Sequence, residues 1–145
     1  MPRTRRRRTL NTPVEDVWRV VADPHHLPRW WPHVSRVEEV EPERWTVVLA
    51  TEKGKSLRAD YRLLESAPPR HRLYAQVLAG SPFERLLAES ITDVMLEPAG
   101  EGTEVTIELR QKLRGVTRLG GFMLRNATRR QLDQALEGLE GACAR

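Results

Sequence analysis

Residues 12–34 read TPVEDVWRVVADPHHLPRWWPHV, and the way this stretch folds decides what can follow it. Thr12 and Pro13 make a helix start. Thr12 can serve as the N-cap, Pro13 takes the first helical position, and Glu15 and Asp16 fall in the first turn, where the helix dipole favours acids. Val14, Val17, Trp18 and Val21 recur at i, i+3, i+4 and i+7, one apolar stripe that places Trp18 in the core. Asp23 precedes Pro24, so the helix stops near Ala22. The remainder, HHLPRWW, reads as a second short helical turn closed by Pro32. Neighbours on a helix point about 100° apart, so Trp30 and Trp31 cannot face one direction. One is expected to plug the interior, and the other to border a cavity or stay partly exposed.

On the N-terminal side lies RTRRRRTL, residues 3–10. Such a run suits a polybasic tail of the nuclear-localisation or nucleic-acid kind. It also suits an edge strand whose charges discourage edge-to-edge pairing. Its direct entry into the helix favours the strand.

On the C-terminal side the period becomes two. Segments 34–40, 45–51, 57–65, 72–79, 86–97 and 103–113 alternate apolar and polar residues, with turn residues such as Pro68-Pro69 and Gly100-Glu101-Gly102 between them. Short connections of this kind imply an antiparallel meander with one covered face. Leu57, Ala59, Tyr61 and Leu63 share one face, expected to be the concave one. The register of 72–79 is ambiguous. On 86–97, Ser90, Thr92, Val94 and Leu96 look like the inward set, with Glu89 and Asp93 outward. The reverse would place two carboxylates in an apolar setting, raising their pKa values as a general acid or base requires. After Gly115 the helical period returns. Residues 119–142 contain no proline, and Leu124, Thr128, Leu132, Ala135, Leu136 and Leu139 line one face. At about 1.5 Å per residue that helix is roughly 36 Å long, enough to cross a whole sheet.

The fold class this order predicts is α+β: a curved six- to seven-stranded antiparallel sheet wrapped around a long C-terminal helix, with two short helices after the first strand. Residues 1–145 are expected to form one domain. A helix about 10 Å wide cannot fill the concave side of such a sheet. Aromatic residues are only 6% of the chain, so an open cavity between sheet and C-terminal helix is expected. Its candidate lining residues are Trp30, Trp31, Tyr61, Tyr74, Phe83 in the loop SPFERL, and Phe122 and Met123 just after Gly120 and Gly121. Ordinary packing competes with ligand contact at each of them.

Composition narrows the function classes. With 39% hydrophobic and 30% charged residues the chain is globular and soluble rather than disordered. No apolar run approaches the roughly 18 residues of a membrane span, and no apolar h-region follows the basic start as a secretory signal requires. Cys143 is the only cysteine, so an internal disulfide is excluded and a cytoplasmic location is expected. The net charge of +4 suits an acidic partner, but 20 acidic residues are mixed through the chain, so nucleic acid is not the expected partner. His25, His26 and His33 invite a metal reading. Adjacent histidines rarely aim at one ion and no cysteine lies nearby, so no metal is expected. Neither a G-x-G-x-x-G loop nor a G-x-S-x-G elbow occurs, so no cofactor and no serine nucleophile are expected. Both monomer and homodimer stay open.

The stretch 12–34, the segment VMLEPAGEGTEVTIEL at 94–109 and the amphipathic C-terminal helix together resemble START-like, or SRPBCC, domains. The likeness covers nearly the whole chain and is strongest to the polyketide cyclase/dehydrase and lipid-transport branch. It implies a helix-grip fold, with segment 3–10 as the first strand. It also implies binding or transport of a hydrophobic or amphipathic small molecule, since relatives hold sterols, lipids, polyketides, hormones or quinones. A cyclase or dehydratase acting on a polyketide-like chain is the alternative, and it requires a titratable residue facing the pocket. A basic nucleic-acid or protein-interaction module is the second. It requires Arg5–Arg8 and Arg125–Arg130 to form one positive patch.

Overall fold

The computed structural model of the chain describes residues 3–115 and 118–144. Strand β1 (Arg3–Leu10) leads into helix α1 (Val14–Val21), a 3-10 turn (Pro24–His26) and the single-turn helix α2 (Leu27–Trp30). Six strands follow: β2 (Val34–Glu38), β3 (Arg44–Ala50), β4 (Ser56–Ala67), β5 (His71–Val77), β6 (Leu87–Ala99) and β7 (Gly102–Leu113). Helix α3 (Arg118–Cys143) ends the chain. The strands form one sheet in the order β1-β7-β6-β5-β4-β3-β2, and every neighbouring pair is antiparallel. The meander therefore runs unbroken from β2 to β7, and β1 returns to lie beside β7. This is the helix-grip arrangement.

The arginine run is the edge strand, and alternation divides its charges between two faces. Thr4 and Leu10 are buried on the concave side, at 6% and 0% exposure. Between them, Arg6 forms a two-pronged bond to Asp133 of α3 (2.8 and 3.1 Å), and Arg8 reaches Glu140 at 3.3 Å. On the convex side Arg5 meets Glu108 at 2.7 Å and Arg3 meets it at 3.8 Å. A run that reads as polybasic is thus largely paired, and its inward arginines tie β1 to α3.

Helix α1 starts one residue later than the sequence implies. Pro13 occupies the cap position, and its carbonyl accepts from the Asp16 and Val17 amides at 3.0 and 3.1 Å. Thr12 does not cap. Its carbonyl instead accepts the Thr103 hydroxyl at 2.7 Å, so this backbone is pinned to β7. Val14, Val17 and Val21 are buried as their spacing demands, while Trp18 is only partly so.

Helix α3 packs on β1, β7, α1 and α2. Leu132, Ala135, Leu136 and Leu139 are at most 2% exposed and meet Val94, Leu96, Val105 and Ile107 of the sheet in one core. Gly138 permits the close approach of α2: a Cβ there would collide with the Trp30 carbonyl. The first turns of α3 are less engaged, with Leu124 half-buried and Met123 62% exposed.

Candidate functional site

Strand β5 offers two faces. Leu73, Ala75 and Val77 form the apolar set, and Arg72, Tyr74 and Gln76 the polar one. The polar set points inward. Arg72 and Tyr74 are 5% and 7% exposed, whereas Val77 on the convex side is 36% exposed. Register then assembles the neighbours. Trp45 of β3 lies opposite Tyr61 of β4, which lies opposite Gln76. Leu63 lies opposite Tyr74, and Tyr74 opposite Thr92 of β6. A bulge follows Leu63 in β4 and turns Leu64 out to solvent.

Three adjacent strands thereby bring three rings together. Trp45 and Tyr61 stack in parallel, with centroids 6.1 Å apart and an 8° interplanar angle. Tyr74 meets both edge-on, at 5.3 Å from Trp45 and 5.8 Å from Tyr61. The Arg72 guanidinium lies over the Trp45 ring at 5.0 Å and within 6.0 Å of the Tyr74 ring. These are cation–π distances. No carboxylate among the described residues forms an ion pair with Arg72. Asp23 attracts it only from beyond contact, because the Asp23 carboxylate is held by the ring and backbone amide of His25 at 2.8 and 3.0 Å.

Burial sets the charge states. Desolvation lowers the Arg72 pKa, opposed by the nearby Tyr74 and Asp23. Desolvation pushes the Tyr74 hydroxyl up to about 12, against the partial relief of Arg72 and Thr92. It pushes Tyr61 up as well, helped by Tyr74. Both phenols are therefore protonated at neutral pH. Buried polar atoms remain without partners here: the indole Nε1 of Trp45 and the amide nitrogen of Gln76, with Trp30 Nε1 behind them.

Beside this cluster is a cavity of about 20 Å³. Its walls among the described residues are Leu27 and Trp31 at α2, Val34 of β2, Trp45, Val47 and Leu49 of β3, then Tyr61, Tyr74 and Thr92. That volume holds about one water. The spacious interior expected from the sequence is not present among the described residues. The physical reason is local concentration: half of the chain's aromatic residues stand around this one point, which an average of 6% conceals.

The seven predicted lining residues separate. Tyr61, Tyr74 and Trp31 come together at the cavity. Trp30 is the interior plug, 3% exposed, and its ring meets Trp31 edge-on at 5.4 Å. Phe83 is half-buried in its own loop, where its amide bonds the Ser81 hydroxyl and its carbonyl accepts from Leu86 and Leu87. Neither Phe83 nor the exposed Met123 is among the cavity walls. Phe122 lies outside the residues whose side chains are described. The sequence reading missed Trp45 and Arg72. Period two groups Trp45 with Val47 and Leu49 and Arg72 with Tyr74, but it does not say which face is inward or which strands stand opposite.

Other candidates lie elsewhere. Asp93 is on the convex side, bonded to His71 at 2.6 Å. His26 bonds the Val20 carbonyl at 3.3 Å, and His33 is an exposed residue at φ 67°. Among the described residues no three His, Cys, Asp or Glu side chains converge as a metal site needs. No described helix is long and apolar enough to cross a membrane.

Solved structures share this architecture. A START superfamily protein from Mycobacterium smegmatis superposes with a TM-score of 0.80 at 14% identity, over 98% of this chain and 97% of that one. A conserved protein from Geobacillus kaustophilus gives 0.80 at 17% identity, over 99% and 95%. The di-domain ARO/CYC StfQ from the steffimycin biosynthetic pathway gives 0.78 at 17% identity, covering 96% of this chain and 49% of that one. At such identities the likeness is one of fold. No curated protein matches the chain. The family model for polyketide cyclase / dehydrase and lipid transport matches residues 1–144, nearly the whole chain, and by that match the protein belongs to this family.

Proposed function

We propose that the protein binds a hydrophobic or amphipathic small molecule at the aromatic end of its concave face, with Trp31, Tyr61 and Tyr74, together with Trp45 and Arg72, in contact with it. The observation that carries this reading is the inward row Arg72–Tyr74–Gln76. A strand with an apolar face available has turned its polar face to the interior. Burying polar groups without full partners costs free energy, so such a row is retained for something besides stability. Ring faces would supply most of the affinity, at about 25 cal/mol per Å² before the costs of association. The polar tips would orient the ligand.

The 20 Å³ cavity is then the closed form. Trp31 is half-buried at the end of α2 and is the wall best placed to swing away. Binding is favoured over proton abstraction because the tyrosines stay protonated at neutral pH and no carboxylate is among the described cavity walls. It is favoured over a nucleic-acid module because Arg5, Arg6 and Arg8 are already paired with acids.

The test is titration with N-phenyl-1-naphthylamine, a neutral apolar fluorophore, read by its own emission and by energy transfer from tryptophan. Saturable one-to-one binding is expected. Tyr61→Ala should weaken it about tenfold, the worth of one ring contact. Trp31→Ala should speed association by removing the wall that closes the cavity. A linear, unsaturable signal would reject the reading.

A further inference from the structure

The spare polar atoms of this site have one property in common: they are donors. Arg72 presents a guanidinium with no ion-pair partner among the described residues. Trp45 Nε1–H is buried and unpartnered, and an indole nitrogen can only donate. Gln76, directly opposite Tyr61, has an unpartnered amide nitrogen. The phenols of Tyr61 and Tyr74 keep their protons and can donate as well. Arg72 and Gln76 adjoin the cavity through the Trp45, Tyr74 and Tyr61 walls rather than lining it, and no carboxylate is among its described walls.

We propose that the ligand is an anionic amphiphile, with an aromatic or otherwise flat apolar body against the Trp45, Tyr61 and Tyr74 rings and a carboxylate that pairs with Arg72 and takes a further hydrogen bond from Trp45 Nε1. The proposal rests on the ligand-binding reading above and deepens it. The planar fork of a guanidinium matches the two oxygens of a carboxylate, and such charge-assisted bonds are the strong ones. In a desolvated site the pairing gains further, because it gives a buried cation a counter-charge in contact, where Asp23 acts only from beyond it. The faces of Trp45 and Tyr74 already offer the guanidinium a partial negative charge through their quadrupoles. Asp23 attracts Arg72 only from beyond contact, with its Oδ1 held by His25, so the contact position on the guanidinium stays open to a ligand carboxylate. Neutral apolar ligands would still stack but would leave the donor set unanswered, and cationic ones would be repelled.

Three probes with one body separate the terms: 2-naphthylacetic acid, 2-(2-naphthyl)ethanol and 2-(2-naphthyl)ethylamine, measured by calorimetry near neutral pH. The acid is expected to bind about tenfold or more tighter than the alcohol, the scale of one charge-assisted bond, with the amine weakest. In Arg72→Met the acid's advantage should vanish while the alcohol's affinity stays within about twofold. In Arg72→Lys part of the advantage should return, because charge is kept and the fork is lost. Equal binding of acid and alcohol by the wild-type protein would overturn the anion assignment and leave apolar binding standing. Failure of all three to bind, up to their solubility limits, would overturn the ligand-binding reading itself. The wild-type comparison decides the matter even where Arg72→Met does not fold.

Discussion

Strands β6 and β7 face the same interior as strands β3 to β5, yet the two regions are built on opposite terms. Under α3 the sheet presents Val94, Leu96, Val105 and Ile107, all at most 1% exposed, against Leu132, Leu136 and Leu139. The buried threonines there are answered from within: Thr103 donates to the Thr12 carbonyl at 2.7 Å, and Thr128 to the Leu124 carbonyl at 2.8 Å. At the other end three rings and a guanidinium gather, and donors on Trp45 and Gln76 are left over. Close aliphatic packing is what stability selects. Aromatic packing with spare donors is what a binding surface keeps. On the proposed reading, stability and recognition are held by different parts of one concave face, and the two should respond separately to mutation.

The largest effect should come from the aliphatic end. Leu136→Ala is expected to cost about 3 kcal/mol, because a fully buried leucine leaves a cavity between two rigid elements. Urea unfolding measures it. Affinity for the naphthyl probes should stay within about twofold, since Leu136 is not among the walls of the aromatic cavity. A variant that kept its stability and lost the probe would erase the division of the face.

Alkaline pH acts on the other end. A tyrosine whose pKa is raised on folding keeps its proton in the native state when the unfolded chain has released its own, so the native state is fully favoured below pH 10 and loses ground as pH rises. Tyr74 moves from 10 to about 12, and Tyr61 moves up as well. For Tyr74 alone the loss across that window is about 2 to 3 kcal/mol, or 1.36 kcal/mol per unit. The chain has only two tyrosines, so tyrosinate absorbance reports on these alone. It should stay flat above pH 10 and then rise together with unfolding. Cys143, pushed up to about 11 by burial, drifts with the same sign, so the measurement belongs in a Cys143→Ser background. Tyrosinate that appears at pH 10 in the folded protein would mean the cluster is open to water.

Most of the fold was legible because periodicity records burial directly. The stripe Val14, Val17 and Val21 and the alternation Val105, Ile107 and Leu109 each bury where their spacing says. The site was less so, and β5 shows why. Alternation divides a strand into two faces but does not state which one is inward, and hydrophobicity is the only arbiter a sequence offers. At β5 that arbiter misleads: Leu73, Ala75 and Val77 form the apolar set and face outward, while Arg72 and Tyr74 are buried. Trp45 escaped for a different reason. Its partnership with Tyr61 is a matter of cross-strand register, fixed by where the chain turns between β3 and β4, and no local pattern encodes it. The conflict at β5 between local pattern and observed orientation is the feature on which the proposed site rests.

A smaller effect of opposite sign should follow from relieving that conflict. Arg72→Met keeps the aliphatic stem and removes the charge. It loses a cation–π contact worth about 1 kcal/mol and regains part of the several kcal/mol of arginine desolvation, for a net stabilisation of about 1 kcal/mol. Thermal unfolding reads this as a raised Tm. A lowered Tm would make Arg72 a structural residue and return the aromatic end to the same terms as the aliphatic one.

The smallest effect belongs to the contact that ties the edge strand to α3. Arg6 and Asp133 form a two-pronged pair, and geometry alone would suggest a strong tie. Their side chains are 45% and 50% exposed, however, so water competes for both charges and salt screens them. Asp133→Asn should therefore change stability by no more than about 0.5 kcal/mol, and less at high salt. The packing of Leu132 and Leu136 on either side, not the ion pair, would then hold α3 in place. A cost of 2 kcal/mol or more, unchanged by salt, would show that the arginine strand and α3 are bound chiefly by charge, and that the aliphatic end of the face has a polar support of its own.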